Sequence, residues 1–143
     1  MISEKTIAKY DRLTARAFKA AEKAAKAKAR EIVKKDEAEI VTTVAGGRVY
    51  QHRAIGLPCG WCDVTLDNAR SGFAQYAKYK DAFQNSIYRG PRVWWWAFGE
   101  RFVVHPKHPY LKQSMEVNEA AAEAFADVLR KGGVPCGTWS TID

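Results

Sequence analysis

The stretch that decides the fold is R-V-W-W-W-A-F-G-E-R-F-V-V-H-P-K-H-P-Y-L, from Arg92 to Leu111. It holds three of the five tryptophans of the chain and two of its three histidines. Apolar runs at 93–98 and 101–104, separated by Gly99-Glu100, predict a β-hairpin. Because each proline of His105-Pro-Lys-His-Pro109 restricts the residue before it, we expect a stiff elbow that leads into the last helix.

The predicted hairpin is unusually apolar for a domain of this size. Along its first strand, Trp94 and Trp96 share one face, while Val93, Trp95 and Ala97 share the other. A strand that is apolar on both faces is either central in a sheet or covered by another chain. We therefore expect subunit contacts from the hairpin and the first helix, at Trp94, Trp95, Trp96, Phe98, Phe102 and Phe18.

Residues 1–38 predict one long helix. Between residues 4 and 36 there is no glycine or proline, and alanine, lysine, arginine and glutamate predominate. About 33 residues at about 1.5 Å per residue give roughly 50 Å, longer than the rest of such a domain is wide. We therefore expect part of the helix to project or to pack on a neighbouring subunit. Its interspersed acids, such as Glu22 and Glu31, argue against a basic helix that follows a phosphate backbone.

A second hairpin is predicted directly after this helix. Residues 39–45 are rich in β-branched side chains, Gly46-Gly47 is a two-residue turn signal, and residues 48–55 alternate in polarity. The remaining segments are assigned as a loop at 56–63, a helix at 67–83, a helix at 110–130 that Gly132-Gly133 ends, and a tail at 134–143.

These elements together predict an α+β fold. A small antiparallel sheet of about four strands, built from the two hairpins, is flanked by the long N-terminal helix, a middle helix and a C-terminal helix. A chain of 143 residues is expected to form a single domain. Within it we distinguish the helix at 1–38, an α+β core at 39–131 and a tail at 132–143.

Composition limits the classes of partner. The net charge of +7 allows proximity to DNA or another polyanion without requiring it. No apolar run approaches the roughly 20 residues of a membrane-spanning helix, so we expect no membrane association. The N-terminus lacks the apolar core of a secretion signal, and three cysteines are an odd number, so a reducing cytosol is the expected compartment.

The Cys59-Gly-Trp-Cys62 motif leaves three interpretations open. A structural zinc could bind Cys59, Cys62, His52 and Cys136. The pair could alternatively exchange a disulfide in redox chemistry, although no βαβ context surrounds it. The third interpretation is loop packing or a disulfide, in which Cys136 pairs with Cys59 or Cys62 within or between subunits.

Other residues offer little chemistry. His105 and His108 are expected to shape the elbow, since a catalytic pair needs a nucleophile or carboxylate within hydrogen-bond reach. The chain has no phosphate-binding glycine loop and no metalloprotease or serine-hydrolase motif, so we expect no catalysis and no cofactor. An alternative function is nucleic-acid binding, in which tryptophans of the hairpin stack on bases between basic residues at Arg89, Arg92, Arg101 and Lys107.

Three short motifs in the second half of the chain occur in a characteristic order. They are Gln84-Asn-Ser-Ile87, then Trp96-Ala-Phe-Gly-Glu100, then His108-Pro-Tyr-Leu111, followed by the helix to Arg130. This order resembles that of the small tail-completion, or tail-terminator-like, neck proteins of tailed bacteriophages. The match covers about 50 residues and the generic first helix. Departures from the family pattern are Ala82-Phe83, Glu100 and the elaborated segment 39–80.

The resemblance implies a virion structural protein, made in the host cytoplasm, without enzymatic activity. It would form a ring, often a hexamer, at the head–tail joint or at the tail end. Its partners would be copies of itself and other phage neck and tail proteins.

Overall fold

The computed structural model describes residues 2–38, 40–45, 48–53 and 58–143, and for residues 36–38, 40–45 and 48–53 it describes the backbone. The helices and strands in chain order are α1 (Glu4–Ala38), β1 (Ile40–Ala45), β2 (Arg48–Arg53), β3 (Gly60–Leu66), α2 (Gly72–Tyr79), β4 (Phe83–Ser86), β5 (Gly90–Val93), α3 (Met115–Lys131) and β6 (Cys136–Ile142). Two short 3₁₀ helices span Trp95–Phe98 and Pro109–Gln113. The predicted α+β fold, with a long N-terminal helix and a four-stranded antiparallel sheet, is confirmed.

The strands of this sheet are not the ones predicted. Its order is β4-β5-β3-β6, and all neighbouring pairs are antiparallel. The β1–β2 hairpin exists as predicted but forms a separate two-stranded sheet. Its Gly46-Gly47 turn lies outside the described residues. β3 runs where a loop was expected, and β6 occupies most of the predicted tail.

Alternating burial explains why residues 60–66 form a strand. Cys62, Val64 and Leu66 point towards α3 and are buried, whereas Trp61 on the opposite face is exposed. The glycine and proline before this segment obscured that alternation. Gly60 is required at the start of the strand, because a Cβ there would collide with the carbonyl oxygen of Thr141 on β6.

The long first helix packs along α3 within the same chain. Its seam is buried from Leu13 to Ile32, and in the middle turns the seam consists of Ala17, Ala21, Ala25 and Ala29. Alanines allow two helix backbones to approach closely. The expectation that part of α1 would project or pack on a neighbouring subunit does not hold for this face, because the chain covers the seam itself.

The middle and last helices are shorter than predicted because capping residues set their starts. Ser71 accepts a hydrogen bond from Ala74 N (3.1 Å) at the start of α2, and Ser114 accepts one from Val117 N (3.5 Å) at the start of α3. The prolines of the elbow keep the segment before Ser114 in a separate 3₁₀ turn. The end of α3 at Gly132-Gly133 is as predicted, and Gly133 has a positive φ of 89°.

Within the described ranges, no helix has both the length and the apolar character that crossing a bilayer requires.

Candidate functional site

The tryptophan-rich segment is a tight turn and not the predicted β-hairpin. Strand β5 ends at Val93, and the next residues form the 3₁₀ helix Trp95–Phe98; residues 101–104 form no strand. In such a turn successive side chains point in different directions, so neighbouring tryptophans separate between the interior and the surface. The helices cover only one face of the sheet, so a straight strand could not have buried both of its apolar faces.

Trp95 is the inward tryptophan of this turn. It is 5% exposed, and its indole N–H donates a hydrogen bond to the carbonyl oxygen of Cys62 (3.0 Å). Its ring lies beside Phe18 and Phe102, with centroid distances of 6.4 and 6.5 Å. Trp95 and Phe18 are thus buried in the core of their own chain. Their assignment to a subunit interface is corrected, because no partner can reach a side chain that this chain already covers.

Phe98 completes the inner side of the turn. Its ring stacks on Tyr76 of α2 at 6.0 Å and on Phe125 of α3 at 5.6 Å. Phe102 is also partly buried and packs against Phe18 at 5.7 Å. These contacts assign Phe98 and Phe102 mainly to the core. The interface residues predicted from the hairpin thus reduce to Trp94, which is half-buried, and Trp96, which is exposed.

Trp94 and Trp96 stack on each other, with a centroid distance of 5.7 Å and an interplanar angle of 16°. This self-stacking occupies one face of each ring and so reduces the surface that a nucleic-acid base could stack on. Two of the four basic residues predicted to accompany the bases are also engaged, since Arg89 and Arg92 form hydrogen bonds within the chain. The Trp-rich segment therefore fits base stacking poorly.

An open pocket of about 470 Å³ lies between this turn, α1 and the beginning of α3. Its apolar wall includes Trp61, Trp95, Trp96 and Phe102. Its polar rim includes the side chains of Glu100, Arg101, Lys112, Gln113 and Asn118. A concave apolar surface with a polar rim is typical of a binding site for a ligand or for a protruding side chain of a partner. We call it the tryptophan pocket.

A second apolar surface lies next to this pocket and shares Trp61 with it. On the uncovered face of the sheet, Trp61 pairs with Thr141 and Asp63 pairs with Trp139, so the two tryptophans are diagonal neighbours. The guanidinium of Arg89 donates a hydrogen bond to the Thr141 hydroxyl (2.7 Å), which holds the turn between β4 and β5 close to β6.

That turn carries two apolar residues that this chain leaves uncovered. Ile87 is 92% exposed and Tyr88 is 89% exposed, while Trp61 and Trp139 are 44% and 51% exposed. We call these four residues the apolar patch: Trp61, Ile87, Tyr88 and Trp139. Large side chains grouped in this way on a surface mark an interaction site.

A buried ion pair supports the patch from below. Asp63 lies on the same sheet face, and its carboxylate is 3.1 Å from the guanidinium of Arg92, which also bonds the side chain of Gln84. Both members are largely buried. Burial raises the pKa of the Asp63 carboxyl, and the nearby Arg92 and Arg89 oppose that rise. The pair holds β3, β4 and β5 in register beneath the exposed side chains.

The cysteines are far apart, which disfavours both the zinc and the redox interpretations. Residues 60–66 are extended, so Cys59 and Cys62 are about 10 Å apart at about 3.3 Å per residue. Cys136 pairs with Leu66, four residues beyond Cys62, or roughly 13 Å along the strand. Both separations exceed the range of a disulfide, whose Cα atoms are usually within about 7 Å.

All three cysteines are free thiols in the described part of the chain. Burial raises the pKa of Cys62, and it raises the pKa of Cys136 to about 11, which makes both thiols unreactive. Among the residues with described side chains, no three His, Cys, Asp or Glu groups converge, and the side chain of His52 lies outside that set. A disulfide between subunits through the exposed Cys59 stays a prediction.

The two histidines of the elbow contact each other and their neighbours. Their rings are 5.1 Å apart; His105 Nδ1 accepts from Lys107 N (3.3 Å), and His108 Nδ1 lies 3.2 Å from the Tyr110 hydroxyl. The 3₁₀ turn that follows buries Leu111 in the core. These contacts fit the predicted role of the histidines in shaping the elbow.

No family model, curated protein or solved structure matches this chain. The resemblance to phage neck proteins therefore depends on the motifs quoted for it. The apolar patch was missed from the sequence, although Ser86-Ile-Tyr-Arg-Gly90 does contain a signal: two large apolar residues inside a turn that should be polar.

Proposed function

We propose that this chain is a structural protein of a tailed-bacteriophage virion, which assembles with copies of itself into a ring at the head–tail joint or the tail end and has no catalytic role. The observation that carries the proposal is the apolar patch. Each of its four side chains contributes on the order of 1 kcal/mol when another surface covers it. A surface of this kind is more readily explained by assembly than by chemistry.

Ring closure requires two different surfaces on each copy, because a head-to-tail contact repeats around an axis. This chain offers such a combination. The turn that carries Ile87 and Tyr88 protrudes, and the tryptophan pocket beside Trp96 is concave and apolar. In the proposed ring, the turn of one copy enters the tryptophan pocket of the next copy. The rim residues Arg101 and Glu100 then surround the inserted side chains with polar groups.

The family resemblance supports the same assignment. Ile87, the last residue of the Gln84–Ile87 motif, is itself a member of the apolar patch. The Trp96–Glu100 motif supplies Trp96 and Glu100 to the wall and rim of the tryptophan pocket. The His108–Leu111 motif forms the elbow that precedes α3. Two of the three motifs thus contribute to the two surfaces that we propose to meet between copies.

The assembly test uses a variant and a matched control. In the Ile87→Ser/Tyr88→Ser variant we expect loss of the oligomer, measured by light scattering and by electron microscopy of the purified protein, which should show rings for the unaltered chain. The control variant, Tyr79→Ser/Val103→Ser, removes two apolar residues that are also mostly exposed but lie outside the apolar patch, and it should leave the rings intact. A monomeric unaltered chain, or equal losses in both variants, would contradict the proposal.

The virion assignment needs a separate test. In a phage that carries this gene, loss of the chain should yield filled heads and complete tails that do not join, and adding the purified protein to such an extract should restore infectious particles. The Ile87→Ser/Tyr88→Ser protein should fail to restore them. Normal virions in the absence of the chain would refute the neck assignment. Self-assembly would still be decided separately, by the light-scattering and microscopy experiment.

A further inference from the structure

The solvent face of α1 carries a continuous row of positive charge. Its members follow each other mostly at intervals of three or four residues, and all are exposed. At about 100° per residue they fall within an arc of about 80°, over a length of about 44 Å. We call these eight residues the basic stripe: Lys5, Lys9, Arg12, Arg16, Lys19, Lys23, Arg30 and Lys34.

The acidic residues of α1 whose side chains the structure describes lie outside this stripe; they are Glu4, Asp11, Glu22 and Glu31. Glu22 pairs with Lys26 (3.2 Å) and Glu31 pairs with Lys28 (3.3 Å), and none of these four residues belongs to the stripe. Asp11 is turned towards α2, where it contacts the Tyr76 hydroxyl and Lys80. Within the described part of the chain, no acidic side chain forms an ion pair with a member of the stripe. Glu22 and Glu31, which argued against phosphate binding in the sequence, are therefore separated from the cations by the helix geometry.

The residues between the cations limit the kind of polyanion. Ala8, Ala15 and Ala27 are exposed beside the cations, and they are short enough for a close approach. The exposed Glu31 borders the stripe on the other side and is paired with Lys28. No aromatic ring is available there to stack on the bases of a single strand. The apolar side of α1 is buried against α3, so it cannot insert into a lipid surface as an amphipathic membrane helix would.

One end of the stripe is widened by a second segment of the chain. Arg30 and Lys34 line a cavity of about 380 Å³ together with His105 and Lys107 of the elbow, and its lining contains no acidic residue among those whose side chains are described. A cavity with three permanent cations and a histidine has the charge to hold a phosphate group. Its position makes it continuous with the basic stripe.

We propose that the basic stripe of α1 binds the phosphate backbone of double-stranded DNA without reading its sequence. The rigid spacing of the charges, the alanines between them and the cationic cavity at one end all fit a stiff polyphosphate. Binding through four to eight phosphates predicts that log K falls with log salt concentration with a slope of roughly −3.6 to −7.2. This inference does not depend on ring formation.

The test measures binding of a fluorescent DNA duplex to the full chain over a range of salt concentrations. The stripe variant is Arg16→Gln/Lys19→Gln/Lys23→Gln, and glutamine preserves the helix. Its matched control is Arg70→Gln/Lys78→Gln/Lys131→Gln, which removes the same number of charges from exposed positions outside the stripe and the tryptophan pocket. The stripe variant should bind on the order of 100-fold more weakly at 0.1 M salt and show a slope smaller by about 2.7. The control should change both quantities little.

Three outcomes would overturn the inference. Equal weakening by the two variants would mean that only the net charge matters. Tighter binding of single-stranded DNA, or of polyglutamate, would assign the stripe to a different polyanion. Tighter binding of vesicles made of equal parts phosphatidylserine and phosphatidylcholine would assign it to a membrane surface. Light scattering on the stripe variant separates this test from the ring proposal, since loss of DNA binding with the oligomer intact affects only the stripe.

Discussion

Two groups of aromatic and aliphatic side chains in this molecule have similar composition and opposite surroundings. The inner group, Phe73, Tyr76, Trp95, Phe98 and Phe125, is packed between the helices and the sheet, with rings 5.6 to 6.3 Å apart where they face each other. The apolar patch has no such covering within the chain. The contrast teaches that the inner group stabilises the fold, whereas the patch is available for a contact that the single chain does not make.

The largest expected effect is a difference in the free energy of unfolding between substitutions in the inner group and in the apolar patch. Phe125→Ala removes a fully buried ring that touches Phe98, and a cavity of this kind costs about 3–5 kcal/mol. Trp139→Ala, which truncates an equally large but half-exposed residue of the patch, should cost less than about 1 kcal/mol in the monomer. Urea unfolding of the two variants gives both values. Similar losses for both would remove the distinction between the inner group and the patch.

Arg92→Met should destabilise the chain strongly at neutral pH and less in acid. Removing the guanidinium leaves the buried Asp63 carboxylate without its closest cation, at a cost of about 3 kcal/mol. Burial raises the folded-state pKa of Asp63, so protonation favours the folded state and the penalty falls as the pH falls towards that pKa. Unfolding curves at several pH values between neutrality and acid check the sign. A penalty that grows in acid would contradict this view of the pair.

Trp95→Phe probes the only polar contact described for the inner tryptophan. The change keeps most of the apolar volume but removes the N–H donor to the Cys62 carbonyl, which should cost about 1–2 kcal/mol. Trp96→Phe at the neighbouring exposed position is the control and should cost almost nothing. If both variants were equally stable, Trp95 would act through packing alone.

Asp11→Asn should have the smallest effect, at the polar edge of the inner group. The Tyr76 hydroxyl donates to Asp11 at 2.6 Å, and this bond and then Lys80 lower the pKa of the carboxyl below 3.8. A lowered folded-state pKa contributes stability above about pH 4, which is lost as the pH falls through the folded-state value. Because Asp11 is exposed, the loss should stay well below 1 kcal/mol. The variant should show a flatter dependence of stability on pH below 4 than the unaltered chain.

The elements with strong local signals were predictable from the sequence. Alanine-rich composition without glycine or proline predicts α1, and Gly132-Gly133 marks the end of α3. The tryptophan segment was assigned wrongly because alternation says little when nearly every residue is apolar. Only the presence of helices on a single face of the sheet decides that Trp95 turns inward and Trp96 outward, and that is tertiary information.

The two proposed functional surfaces also differ in whether the sequence alone could have predicted them. The basic stripe follows from the spacing of Lys5, Lys9, Arg12 and Arg16 once the helix is drawn as a wheel, so the sequence contained it. The apolar patch joins β3, β6 and the β4–β5 turn, and its residues meet only through strand pairing and the bond between Arg89 and Thr141. A pattern confined to one segment of the chain could not have predicted it.

The central claim is that another copy of this chain covers the apolar patch, and cross-linking tests it most directly. Two proteins with one introduced cysteine each, Tyr88→Cys and Trp96→Cys, are made in a Cys59→Ser/Cys136→Ser background, whose remaining native thiol, Cys62, is buried, and are mixed under mild oxidation. We predict a disulfide between the two different proteins, detected by mass, at a much higher yield than when Tyr79→Cys replaces Tyr88→Cys. Yields that are equal in the two mixtures, or no cross-link at all, would contradict the claim that the protruding turn of one copy enters the tryptophan pocket of the next.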